Sequence, residues 1–141
     1  MVLGLALIMY VKYTADADNR RIIEKPLRNH VAFTGQVLAF NISGNHSFGI
    51  IKIKVVKSNK SKVIVLYKNK NILFPYRIEG GYAEFYGYIS LDIKINQTVK
   101  LNSDEKLMVF YDRDLKLAKT NVFVTSEKQN IAFIKENTSF K

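Results

Sequence analysis

The sequence predicts an all-β domain: a small antiparallel barrel, OB-like or SH3-like, with a two-sheet β-sandwich as the alternative. Three observations carry this reading. Apolar and polar residues alternate with a period of two along several short runs, as in SFGIIKIKVVK, residues 47–57. Clusters of Asn, Ser, Asp and Gly separate these runs at short intervals. No helical pattern of three turns stands out after residue 29. A closed barrel removes exposed strand edges, which makes it the economical arrangement for about 110 residues.

The elements follow in order. Residues 2–11, VLGLALIMYV, are continuously apolar, but a membrane-spanning helix needs about 20 such residues. This run fits a buried strand or short helix, an interfacial element, or a signal or anchor whose upstream part is missing from the chain. The last reading draws on Ala15-Asp16-Ala17, which has the small-x-small form of a cleavage site. The following TADADNRRIIEKPLRNH, residues 14–30, is polar and charged, with Pro26 near its end, and reads as a linker or a frayed helical turn. The expected organisation is therefore residues 1–28 as N-terminal segment and linker, and residues 29–141 as one barrel domain.

Within that domain, residues 31–42 and 47–57 form the first two expected strands. Ile51, Ile53 and Val55 face the core, and Lys52 and Lys54 face water. Further strands are expected at 62–68, 72–78, 82–89, 90–95, 106–111, 117–124 and 130–135. Pro75 marks an edge or break in the fourth run, and Gly80-Gly81 marks a turn.

The chain carries 22 basic and 12 acidic residues, a net charge of +10. Residues 45–78 hold seven Lys plus Arg77 and no acid, whereas residues 79–141 hold nine of each sign. The lysines of the excess are Lys52, Lys54, Lys57, Lys60, Lys62, Lys68 and Lys70. Tyr82, Tyr86 and Tyr88 share one face of a strand with Glu84. Single-strand nucleic-acid binders combine a basic groove with stacking rings, so these ten residues are the candidate anion-binding or nucleic-acid-binding set. The same residues also suit a solvated outer face, where Lys deters edge pairing and Tyr keeps its hydroxyl wet. A membrane surface and a polysaccharide are the other polyanions this charge would suit.

Catalytic signatures are missing. His30 and His46 have no metal-ligand spacing, and no Cys is present to act as thiolate ligand or nucleophile. There is no GxSxG elbow and no Gly-rich phosphate loop. Asp112 and Asp114 read as a solvated turn. The expectation is a non-catalytic protein with no cofactor, in a binding or structural role, exported or membrane-tethered. A nucleic-acid-binding barrel and an enzyme without a recognisable motif are the alternatives.

Residues 33–111 resemble small uncharacterised β-domain proteins common in Bacteroidota. Gly35 and Val37 match a strand that begins G-x-V, and His46 and Gly49 match the turn after it. Ile93-Lys94 and Val99-Lys100 approximate a later I-K-x-G-D-S-V-x-K segment, with Asn96-Gln97-Thr98 standing in place of Gly-Asp-Ser. The resemblance implies a β-domain that follows a lipoprotein signal or single N-terminal anchor, and it implies no activity.

Overall fold

A computed structural model describes residues 2–68 and 70–141. Met1 of the N-terminal segment and Asn69, in the turn expected before residue 72, lie outside the described residues. The chain forms helix α1 (Val2–Glu24), a 3-10 turn (Lys25–Leu27), strands β1 (Ala32–Ile42) and β2 (Phe48–Ser58), and β3 (Tyr76–Glu79) and β4 (Tyr82–Tyr88). Strands β5 (Thr98–Asn102), β6 (Leu107–Asp112) and β7 (Leu115–Asn121) follow, and helix α2 (Lys128–Asn137) comes last. The strands make one seven-stranded sheet in the order β3-β4-β2-β1-β5-β6-β7, antiparallel throughout.

This is a mixed α/β fold, and it corrects the expectation of an all-β barrel. The two end strands, β3 and β7, share no ladder, so the sheet is open; being a single sheet, it is not a sandwich either. The end of β4 nevertheless comes near β7: the Thr120 hydroxyl donates to the Tyr88 carbonyl at 3.2 Å, and the Tyr88 ring stacks on Phe123 just beyond β7. Closure is unnecessary because other elements cover the sheet. On the inner face, Ile51, Ile53, Phe85, Val99 and Phe110 are fully buried. Residues 59–68 and 70–75 lie across them, placing Val63 and Phe74 in the core and half-burying Val65 and Tyr67. That segment holds its place by a bridge from Val63 to Ile78 and another from Leu73 to Thr125. It is largely irregular, so the strand expected at 62–68 is not formed, and residues 90–95 are turns.

On the outer face, Phe48, Ile50 and Tyr86 pack against Ile134 of α2. The expected strand at 130–135 is this helix. Asn130, Ile131 and Ile134 are its buried positions, a helical spacing that the short run NIAFIK also allows to be read as a strand.

The regular pairing of the sheet is interrupted in β1. Its register with β2 shifts between Thr34 and Gly35 and again between Val37 and Ala39, which are bulges that sharpen local twist. Gly35 is required by close approach: a Cβ there would collide with the Ile53 side chain and lie 2.7 Å from the Lys54 carbonyl. Gly80 (φ 62°) and Gly81 (φ 83°) close the β3–β4 hairpin in the left-handed region that glycine enters freely.

Helix α1 continues through the stretch expected as a linker and stops at Pro26, which cannot donate the next helical hydrogen bond. Its foot is tied down by Tyr67, whose hydroxyl donates to the Ile23 carbonyl at 2.8 Å, by a Lys106–Glu24 ion pair at 3.0 Å, and by buried Leu27. The expectation of export or a membrane tether is corrected as well. Among the described residues no helix is long and apolar enough to cross a membrane. The apolar run of α1 ends at Lys12, and Asp16, Asp18, Arg20 and Arg21 follow on the same helix.

Because Phe85 is fully buried beneath the covering segment, Phe85→Ala is expected to cost about 3–5 kcal/mol of unfolding free energy. Urea denaturation checks this; a loss under about 1 kcal/mol would mean that the inner face is not a packed core.

Candidate functional site: the open half of the outer face

The outer face of the sheet has two halves. Over β3, β4 and the start of β2, α2 and the residues after it form a cover. Glu84, 2% exposed, fastens that cover. Its carboxylate accepts from the Tyr86 hydroxyl at 2.9 Å, from the Thr138 hydroxyl, and from the Ser139 amide at 2.9 Å. Its cross-strand neighbours are Lys52 and Arg77. Arg77 bonds Glu79 at 2.7 Å and carries its guanidinium 4.8 Å from the centre of the Phe140 ring. Burial pushes the Tyr86 phenol well above its ordinary value, and the Glu84 charge raises it further. Burial likewise pushes the core phenol of Tyr76 up to about 12.

The other half has no helix over it. Cross-strand pairing defines its rows. One row runs Lys57, Thr34, Lys100, Val109, Lys119 across β2, β1, β5, β6 and β7. The next runs Lys54, Gln36, Thr98, Tyr111, Lys116. Alternation explains the placement, since Val99, Leu101, Met108 and Phe110 point inward and their neighbours must point out. Neighbouring strands lie about 4.8 Å apart, so Lys57, Lys100 and Lys119 recur roughly every 10 Å. All of Lys54, Lys57, Lys100, Lys116 and Lys119 are exposed, and among the described residues none of them is in a salt bridge. Lys100 holds its ammonium 5.2 Å from the centre of the Tyr111 ring.

A shallow groove of about 530 Å³ lies along these rows, floored by Leu107, Val109 and Tyr111 and flanked by Lys57 and Lys100, with Glu105 at its rim. Around the turn after β5, next to Glu105, Lys106 joins Arg21, Lys25 and Arg28 at the foot of α1, with Glu24 among them, about a second hollow of about 350 Å³.

The structure does not gather the ten candidate residues on one surface. Lys54 and Lys57 belong to the open half, and Lys52 lies beside the cover, lining a hollow with Tyr82 and Phe140. Lys62 pairs with Glu79 at 3.6 Å on the sheet edge. Lys60 occupies the turn after β2, where its amide and carbonyl both bond the Ser58 hydroxyl. Lys68 and Lys70 ride on the segment that covers the inner face. Tyr82, Tyr86 and Tyr88 do share a strand face with Glu84, but Tyr86 is buried under α2, and Tyr88 packs between Phe48 and Phe123. Lys100, Lys116, Lys119 and Tyr111 are the outer-face residues that reading by segment passed over. The signal was available, because Lys100 alternates with Val99 and Leu101.

Elsewhere, His30 Nδ1 lies 2.6 Å from Asp104 Oδ2 on an exposed corner, and the contact holds the Asp104 carboxyl below its ordinary value. No group of three potential metal ligands occurs among the described residues. No known protein family matches the chain, and no curated protein or solved structure matches it either.

The buried phenols give a pH test. Unfolded tyrosines release their protons near pH 10, whereas native Tyr76 and Tyr86 keep theirs to higher pH. The native state then binds more protons than the unfolded state. Stability should fall as pH rises past 10, by up to about 1.4 kcal/mol per pH unit for each group. Urea titrations between pH 9 and 11 measure that slope, and Tyr86→Phe should reduce it; an unchanged slope would place the phenol in contact with water.

Proposed function

We propose that this protein is a non-catalytic binding module that takes a polyanion on the open half of its outer sheet face. The observation that carries the reading is the set of exposed lysines Lys54, Lys57, Lys100, Lys116 and Lys119, which have no ion-pair partner among the described residues and lie on the half of the face away from α2. Charges of one sign spread over a shallow surface attract a multiply charged partner and raise its rate of encounter. The lysine ammonium is a point charge without the planar fork of arginine, which suits loose, sequence-independent contacts to phosphate or sulfate groups.

Heparin, a polyanion without bases, is the direct probe. Its affinity should fall steeply as salt rises, because each contact releases condensed counterions. K57E/K100E should weaken binding roughly tenfold or more at physiological salt and flatten the salt dependence. K68E/K70E changes net charge equally but lies on the inner cover, so it should leave binding near that of the unaltered protein. Equal losses in the two variants, or none in the first, would overturn the assignment of the face.

A further inference from the structure

We infer that the polyanion this face is built for is a single-stranded nucleic acid, with a base laid against Tyr111 and its phosphates on the flanking lysines. This rests on the polyanion reading and narrows it. The floor of the groove decides between partners. A polyphosphate needs cations and hydrogen-bond donors and gains nothing from an apolar floor, and the sulfates of a heavily sulfated polysaccharide keep its rings from lying as flat on such a floor as a nucleobase does. Here Leu107, Val109 and the ring of Tyr111 form a continuous strip on β6, with lysines on both sides. Lys57 and Lys100 lie on the β2 and β5 side, and Lys116 and Lys119 on β7. An apolar strip between two cationic margins fits a chain that carries flat apolar rings on a charged backbone.

Tyr111 is the anchor because it is half-exposed in the middle of its row, between Thr98 and Lys116. The Lys100 ammonium lies over one face of the ring, 5.2 Å from its centre; a base stacked on that face takes its place and leaves the cation beside the strand's phosphates. Duplex DNA suits the strip poorly, since its bases are already stacked on one another and present only their edges. The face also carries few side chains able to read base edges in pairs. No arginine lies in either row, so sequence preference should be weak.

The test compares three probes on the full chain by fluorescence anisotropy: a 15-mer of deoxythymidine, an abasic 15-mer with the same phosphates, and heparin. The thymidine 15-mer should bind at least about tenfold more tightly than the abasic strand, given the usual worth of one stacked base. Tyr111→Ala should remove most of that difference, while Tyr111→Phe, which keeps the ring, should retain it. Equal affinity for the abasic and thymidine strands overturns this inference while leaving the polyanion reading intact, provided heparin still binds. Failure of all three probes overturns both. The abasic comparison uses the unaltered protein, so it does not depend on how any variant folds.

Discussion

The pairing of β1 with β2 is the constraint on which the rest of the structure depends. These are the two longest strands, and they form the middle of the sheet. β2 carries apolar residues on both faces: Ile51 and Ile53 inward, Ile50 outward under α2. A slip of one residue would turn Lys52 and Lys54 into the core and expose Ile51 and Ile53, so the register is strongly determined. Gly35 and Gly49 reinforce it. A side chain at Gly35 would strike Ile53, and one at Gly49 would strike the Asn41 carbonyl. Two register shifts interrupt the pairing within β1, and residues of the 59–68 and 70–75 stretches pack on the inner face of the sheet.

From that pairing follows the division of the outer face. The start of β2 presents Phe48 and Ile50 outward and therefore needs a cover, which α2 supplies. Glu84 then completes the cover by accepting hydrogen bonds from Tyr86, Thr138 and Ser139, so a buried carboxylate is satisfied instead of stranded. The end of β2 presents Lys54 and Lys57 instead, which need no cover. With Lys100, Lys116 and Lys119 they sit at spacings of roughly a Debye length, so their mutual repulsion in physiological salt is modest. The face can stay open without much loss of stability, and a polyanion that meets several of these charges at once gains from all of them.

Much of this was legible in the sequence. Composition and turn residues identified β1 and β4, while alternation identified β2, assigned Ile51 and Ile53 to the core, put Lys54 in water, and placed Tyr82, Glu84, Tyr86 and Tyr88 on one face; the same alternation in residues 90–95 forms no strand. The cover over that face was not legible. In NIAFIK the apolar residues are too few to separate a helical period from alternation, and only the tertiary fit to Phe48 and Ile50 makes the helix. Residues 62–68 have strand composition, yet their groups are spent on covering a core. Without α2 and this cover in view, a closed barrel was the natural way to bury the strands. The site was obscured for another reason: charge was summed along the chain. Residues 79–141 cancel to zero, but their acids sit largely in turns and in the tail latch, while Lys100, Lys116 and Lys119 come together with Lys54 and Lys57 only once the strands pair.

The most direct measurement is lysine footprinting: the acylation rate of each lysine, read by mass spectrometry, with and without saturating heparin. The account predicts protection of Lys57, Lys100, Lys116 and Lys119, and unchanged rates at Lys68 and Lys70. Protection at Lys68 and Lys70 with the sheet lysines left reactive would contradict it.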